Sequence, residues 1–268
     1  MHQRRLLVER KPVDVAIAGA SRSGSTILAL MLGRHPDVAV LGETNRIARE
    51  WDDPCAICGC GAPMQRCAFW IGLAAEVDFA TLATARGAMQ FRDAVRARTG
   101  ARVTVDTSKH ARDLGSSNDE SVVVHIVRDP RGTALSGHRG WGASDRGGHP
   151  TLLSTLRVGG WWLRENLRAA RLRRRRKGLL VRYEDFVVDH ERICEEILRH
   201  VGLEPGTGPW REHHVGTGNP VRRHGEQAIV ADMAWKRRLP RWLQLACWVT
   251  ALPLSALYGY PPVSLERR

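Results

Sequence analysis

The chain has 268 residues, of which 43% are hydrophobic, with 41 Lys and Arg against 28 Asp and Glu and a formal charge of +13. That length can bury the core of one α/β domain, and the composition excludes a fibrous or disordered chain. The charge calls for an anionic partner, whether a phosphorylated cofactor, an acidic substrate, nucleic acid or a membrane surface, and does not choose among them. Met1-His2-Gln3-Arg4-Arg5 leads almost at once into apolar sequence. With no apolar leader of the usual length there, the expectation is a cytoplasmic protein.

The first predicted strand is Val13 to Ala18, and a helix is predicted over Ile27 to Leu32. Between them lies Gly19-Ala20-Ser21-Arg22-Ser23-Gly24-Ser25-Thr26. Strand, glycine-bounded loop and helix is the layout of a phosphate cradle, in which loop N–H groups and the positive helix end face one anion. In the nucleotide-triphosphate version, G-x-x-x-x-G-K-[ST], the lysine reaches the phosphates. Here Gly19, Gly24 and Thr26 keep register, but Ser25 stands where that lysine would be. Such a loop suits a compact oxyanion and is poorly equipped for ATP hydrolysis. Arg22 offers a planar donor fork to a tetrahedral phosphate or sulfate. A second strand, Val38 to Leu41, ends at Gly42-Glu43. A carboxylate at a strand's carboxyl end lies where open α/β sheets place ligands, although Glu43 could instead pair with Arg46 or Arg49.

Arg22-Ser23-Gly24-Ser25-Thr26 after a strand, then His35-Pro36-Asp37 and Gly42-Glu43-Thr44, resembles the sulfotransferases that use 3′-phosphoadenosine-5′-phosphosulfate (PAPS). The likeness is to bacterial carbohydrate-type members and to tyrosylprotein sulfotransferases. It implies a P-loop NTPase-like α/β fold in three layers, a central parallel sheet with helices on both faces. It also implies PAPS as sulfuryl donor, with Arg22 to Thr26 on the 5′-phosphosulfate. Sulfuryl transfer to a hydroxyl needs a base to take the acceptor's proton, and the resemblance gives Glu43 that role.

Trp51 to Trp70 carries Cys55, Cys58, Cys60 and Cys67. Cys55 and Cys58 have zinc-like C-x-x-C spacing, and four thiolates could close a tetrahedral site. Only one residue separates Cys58 from Cys60, however, and the second pair lacks matching spacing. Zinc, a local disulfide and reduced packing thiols all stay open. The stretch is similar to an insertion common in bacterial sulfotransferases, where no metal is implied. Cys194 and Cys247 read as core.

A helix is predicted from Asp78 to Arg98, closed by Thr99-Gly100, followed by a strand Val103 to Val105 that runs into Asp106-Thr107-Ser108-Lys109-His110. Lys109 can neutralise charge on the bridging oxygen as a sulfuryl group leaves, a role the resemblance supports. The alternative is a solvated lysine beside Asp106 or Asp113. His110 is the rival base, by likeness to cytosolic sulfotransferases.

Ser121 to Val127 is the most apolar strand and ends in Arg128-Asp129-Pro130-Arg131, with Ser136 on the helix that starts near Pro130. This pattern resembles the family's 3′-phosphate site, with a charged fork from Arg128 and a hydroxyl from Ser136. A glycine-rich loop, Trp141 to Pro150, could meet the acceptor. A long amphipathic helix is predicted over Thr151 to Lys177, burying Leu152, Leu156, Leu163, Leu167 and Ala170 and exposing Arg157, Arg164, Arg168, Arg171 and Arg175. Gly178 stops it. A strand Leu179 to Val181 leads into Arg182-Tyr183-Glu184-Asp185-Phe186, which by family likeness brings Tyr183 near the nucleotide. A helix His190 to Val201 closes at Gly202. His214 to Arg222 is similar to a family cap segment, from which Arg222 or Arg223 would close over the 3′-phosphate. Trp242 to Leu265 holds no charged residue and reads as a terminal helix packed on the sheet, with surface membrane attachment as the alternative.

The whole reads as a single sulfotransferase domain over 1–268, with a Cys-rich insertion at about 51–70 and a C-terminal helical cap at about 226–260. The expected reaction is sulfuryl transfer from PAPS to a hydroxyl or amine of a carbohydrate, glycolipid or other small metabolite, by in-line displacement with no metal required. Its partner would be that small-molecule or glycan acceptor, with no nucleic acid, and with peripheral membrane contact left open through the C-terminal apolar segment. The competing readings are a P-loop kinase for a small metabolite and a non-catalytic polyanion binder using the arginine stripe. Neither the acceptor nor the oligomeric state is set by the sequence.

Overall fold

Short apolar runs rich in Val and Ile build one parallel sheet in the computed structural model, which describes residues 11–109, 121–138, 150–176, 178–206, 208–209, 213–223 and 229–263. The strands are β1 (Val13–Ala18), β2 (Val38–Gly42), β3 (Val103–Lys109), β4 (Val122–Val127) and β5 (Leu179–Arg182). Their order is β2-β3-β1-β4-β5, every pairing is parallel, and Val15 lies opposite both Val105 and Val122. Between the first strands run α1 (Ser25–Leu32), α2 (Ile47–Asp52), α3 (Ala68–Glu76) and α4 (Ala85–Thr99). After β4 come α5 (Pro130–His138) and α6 (Leu152–Arg175), and after β5 come α7 (Tyr183–Val188) and α8 (His190–His200). The chain closes with α9 (Trp235–Arg238), α10 (Arg241–Thr250) and α11 (Leu254–Leu257).

Side chains alternate across a strand, so each face of the sheet has its own partners. Val15 and Ile17 of β1 pack with Leu28, Met31 and Leu32 of α1 and with Ile193 and Ile197 of α8. Ala16 and Ala18 point the other way, against Ala169 of α6. Ala39 and Leu41 of β2 meet Phe91 and Val95 of α4 on that same second side. The result is the expected P-loop NTPase-like fold, helices on both faces of a central sheet. Small residues let α6 come close: a Cβ at Gly178 would lie 2.0 Å from the Val123 carbonyl oxygen. Gly178 is thus required by the approach to β4, while the helix itself ends at Arg175, two residues short of the expected Lys177, with Arg176 as its cap.

Two predicted elements differ. The helix over Asp78 to Arg98 is two pieces, a 3-10 turn Phe79–Ala83 and then α4. Asp78 caps the first through the Ala80 N–H, and Thr84 leaves the helical region and caps the second through the Gly87 N–H. In α6 the buried face is Thr155, Val158, Trp162, Glu165, Asn166 and Ala169, while Leu152 is exposed. Polar residues turned the inward face away from the leucine row because they have buried partners. Asn166 Nδ2 donates to the Trp162 carbonyl (2.9 Å), which leaves its oxygen to accept from His125 Nε2 (2.9 Å) on β4. His125 Nδ1 is buried without a hydrogen-bond partner. Burial pushes the imidazole down to about 4, against the raising effect of the Asn166 bond. The arginines of the stripe stay on the outer face, Arg164 and Arg168 both pairing with Glu165.

The terminal segment packs on α5 and α6 and also reaches the sheet: Cys247 of α10 lies with Ala134 and Val158, Leu243 with Leu135, and Ala251, Leu254 and Tyr258 with Val127 of β4. Its outer face leaves Trp242, Leu245 and Val249 exposed. Among the described residues no helix is long and apolar enough to cross a membrane. The Tyr260 hydroxyl donates to Glu184 Oε2 (3.0 Å) and ties the segment after α11 to the start of α7.

Candidate functional site

In a parallel sheet all carboxyl ends share one edge, and the strand order makes β1 the point from which the chain departs to both sides. The loop after β1 therefore opens where ligands bind in such sheets. Its course depends on positive φ at Gly19 (145°), Arg22 (71°) and Gly24 (92°). A Cβ at Gly24 would lie 2.7 Å from Tyr183 Cδ2, so α1 can begin here only without one. Arg22 adopts the left-handed region as a non-glycine residue, a cost tolerated mainly where a side chain is aimed for a purpose.

A cleft of about 720 Å³ opens over this loop, within the roughly 300–1,000 Å³ of small-molecule sites. Its walls bring together residues from six parts of the chain. Arg22, Gly24, Ser25 and Thr26 come from the loop and α1, Glu43 from the end of β2, and Arg128 from the end of β4. Ser136 of α5, Tyr183 just after β5, and Arg222 with Arg223 complete the predicted cofactor-binding set. Ser23 is the exception: its side chain is fully buried outside this lining, and its Oγ has no hydrogen-bond partner. Only its backbone is left to serve the loop.

Arg128 links the two sides of the cleft. One guanidinium nitrogen donates to the Arg22 carbonyl (3.2 Å) and another to the Asp232 carbonyl (2.7 Å), with the Asp232 carboxylate 3.1 Å away. The same guanidinium lies over the Tyr183 ring, 4.5 Å from its centre. The neighbouring arginine does something else. Arg131 is fully buried, forms a two-pronged pair with Asp129 and stacks on Trp235 at 4.0 Å. Within Arg128-Asp129-Pro130-Arg131, then, the first arginine faces the cleft and the last braces the start of α5.

Glu43 is buried in the wall opposite. Its backbone N–H donates to Thr217 Oγ1 at 2.6 Å, and Arg46 pairs with Oε2 at 3.2 Å. The predicted partnership with Arg46 is therefore present and orients the carboxylate, while Oε1 lies toward Gly218 and Thr26: a Cβ at Gly218 would sit 3.8 Å from Glu43 Oε1 and 3.6 Å from Thr26 Oγ1. The turn after Glu43 is held by β3. Asp106 accepts from Thr44 Oγ1 and from the Ser108 N–H and hydroxyl. Burial pushes its carboxyl up, opposed by those three hydrogen bonds. Lys109 closes β3 opposite Ala18. Its side chain, His110, Asp113 and the Trp141 to His149 loop lie outside the described residues.

Arg222 and Arg223 divide their duties. Arg222 is buried and donates to the carbonyls of Val215, Gly216, Gly218 and Ile57. Burial pushes its guanidinium below the ordinary value, with Arg223 adding to the effect. It holds a loop together, whereas Arg223 is exposed at the cleft. Sequence reasoning missed Thr217 and Asp232. Thr217 sits inside the quoted cap segment, but nothing local signals a bond to residue 43; Asp232 carries no motif at all.

All six cysteines are free, which removes the local disulfide. Cys55 is exposed, and Cys194 and Cys247 are buried core as expected.

Residues 14–207 match the model of a family described as the sulfotransferase family. No curated protein matches the chain. Among solved structures, the sulfotransferase domain from the curacin biosynthetic pathway aligns with a TM-score of 0.59 at 16% identity, covering 94% of this chain and 99% of that one. The sulfotransferase domain from the Synechococcus PCC 7002 olefin synthase gives 0.56 at 21% identity, covering 94% and 98%. Mouse sulfotransferase SULT7A1 complexed with PAP gives 0.51 at 13% identity, covering 92% and 87%. These likenesses concern the fold.

Proposed function

This chain belongs to the sulfotransferase family, and from that premise we propose that it moves a sulfuryl group from PAPS to a hydroxyl or amine of a small acceptor, a carbohydrate, glycolipid or other metabolite. The observation that carries the reading is the cleft that Arg22, Arg128, Ser136 and Glu43 share, with Arg128 bonded to the Arg22 carbonyl. The donor set fits the proposed ligand: two arginine forks, hydroxyls and a helix N-terminus suit two tetrahedral anions, and a ring beside them suits a base. PAPS supplies an activated sulfuryl group and a stable bisphosphate leaving group.

In this reading the loop from Arg22 to Thr26 holds the 5′-phosphosulfate, the side chain of Ser23 excepted. Arg128 and Ser136 hold the 3′-phosphate, Tyr183 flanks the nucleotide, and Arg223 closes over it in preference to the occupied Arg222. Glu43, steadied by Arg46, takes the acceptor's proton at its carboxylate during in-line attack. Lys109 neutralises charge on the leaving oxygen, and His110 is the base if Glu43 is not. No metal takes part. The proposed setting is the cytoplasm, with the apolar outer face of α10 as the surface suited to peripheral membrane contact.

Calorimetric titration decides the donor. Adenosine 3′,5′-bisphosphate should bind with magnesium-ATP much weaker; tight ATP binding with no response to the bisphosphate would overturn the proposal in favour of a kinase.

A further inference from the structure

Away from the cleft, four soft ligand atoms converge on one point. Cys58, Cys60 and Cys67 come from the insertion after α2, and His214 comes from a segment more than a hundred residues later. Cys60 Sγ and Cys67 Sγ are 3.8 Å apart, His214 Nδ1 is 3.4 Å from Cys67 Sγ and 3.9 Å from Cys58 Sγ, and all four atoms lie within 4.8 Å of one another. A tetrahedral zinc ion with Zn–S near 2.3 Å and Zn–N near 2.0–2.1 Å requires sulfur–sulfur edges of about 3.8 Å and sulfur–nitrogen edges of about 3.5 Å. The Cys60–Cys67 and Cys67–His214 separations match those edges, while Cys58 stands a few tenths of an ångström farther out, at 3.9 Å from His214 Nδ1, and would draw in on the ion. Thiols packed for apolar contact alone have no reason to turn three sulfurs and a ring nitrogen toward a common centre.

The surroundings hold the ligands in that pose. The His214 ring stacks on Phe69 with centroids 4.8 Å apart and planes 12° apart, and Trp70 Nε1 donates to the His214 carbonyl at 2.9 Å. The stacking holds the plane of the ring, and the hydrogen bond anchors its backbone beside the sulfurs. Cys58-Gly59-Cys60-Gly61 turns tightly, the Gly61 N–H returning to the Cys58 carbonyl at 3.0 Å with φ of 88° at Gly61. The Gly59 N–H donates to the Val215 carbonyl at 3.0 Å, and a Cβ on Gly59 would lie 2.3 Å from His213 Nδ1. The two segments are therefore pressed together at the cluster, and glycine is what permits it.

We propose that Cys58, Cys60, Cys67 and His214 bind one zinc ion, a closed structural site that fastens the residues after position 213 to the cysteine-rich insertion. Three thiolates and an imidazole suit zinc and disfavour hard cations such as magnesium or calcium. With four protein ligands the ion keeps no open position, so it stands apart from transfer chemistry. What it secures is a wall of the cleft. Three residues beyond His214, Thr217 bonds the Glu43 backbone, and farther on Arg222 gathers the carbonyls of Val215, Gly216, Gly218 and Ile57. The cluster differs in membership from the four-cysteine set that the spacing suggests: Cys55 is exposed and outside it, and the fourth group is a histidine.

Elemental analysis of the full chain, purified without a metal-affinity step, should find about one zinc per chain. Cys60→Ser and His214→Gln should each lose most of it, while Cys55→Ser keeps it. Cobalt(II) added to stripped protein should give the intense visible absorption of a tetrahedral thiolate site. Melting temperature should fall on stripping and return with zinc. Should a variant fail to fold, the wild-type metal content and the cobalt spectrum still decide. Wild-type protein without metal that also fails to take up added zinc in competition with a micromolar chelator would overturn the proposal, as would iron in place of zinc or an octahedral cobalt spectrum. None of these readouts depends on sulfuryl transfer, so the metal site and the transferase reading can fail separately.

Discussion

The cleft and the cysteine–histidine corner are both built from side chains that different segments bring together, yet they reach that state by opposite routes. The cleft grows from strand ends: a parallel sheet delivers Arg22, Glu43, Arg128 and Tyr183 to one edge, each next to its own local motif. The corner depends on one long-range docking event, without which three sulfurs have no fourth partner. A topology that repeats one operation makes its site readable in pieces. A site that depends on where two irregular segments happen to touch is not readable that way.

Substitutions can test whether the regions are as separate in function as in origin. The largest effect is expected at Glu43: Glu43→Gln should lower turnover by about 10²–10⁴-fold while calorimetry shows unchanged affinity for adenosine 3′,5′-bisphosphate. Full activity would move the base to His110. Next, Arg128→Met should weaken bisphosphate binding by about 10- to 100-fold, the loss of charge-assisted hydrogen bonds of about 1.5–3 kcal/mol. Cys67→Ser should do the reverse, shifting melting temperature more than bisphosphate affinity; equal effects on both would merge the two regions into one.

A pH effect lies between them, at His125. Its imidazole sits at about 4 in the fold against about 6.5 in the unfolded chain. Between those values the unfolded state takes up a proton that the native state refuses. The stability it contributes is complete above about pH 6.5 and is lost as pH falls toward 4, by at most about 1.4 kcal/mol per pH unit. Thermal melts of wild type and His125→Gln across that window should show a shallower acid slope in the variant. The smallest effect belongs to the stripe on α6: reversing the charge of Arg164, Arg168 and Arg171 together should leave transfer rates unchanged, and a large loss would revive a polyanion-binding role.

How much was legible follows from the range of each interaction. The β1 boundaries and the loop register are local, because glycine positions and an apolar run suffice to set them. Ser121 to Val127 and the Pro130 helix start are equally local. The face of α6 misled, since its leucine spacing is a real periodicity that lost to Asn166 and His125 pairing inside the core. The choice between Arg222 and Arg223 was not legible for a similar reason: nothing local shows that the Arg222 guanidinium donates to four carbonyls. His214 could not have been joined to Cys67 from spacing, since the two are 147 positions apart.

The bond from Arg128 to the Arg22 carbonyl has a consequence for selectivity. Under the proposed chemistry it sets the gap between the two anion positions before anything enters. A nucleotide whose charged ends are spaced otherwise can satisfy one end only by leaving the other out of reach. Under the proposed chemistry the cleft thus acts as a gauge of length, and an isomer carrying its second phosphate on the 2′ rather than the 3′ oxygen is the simplest molecule it should turn away.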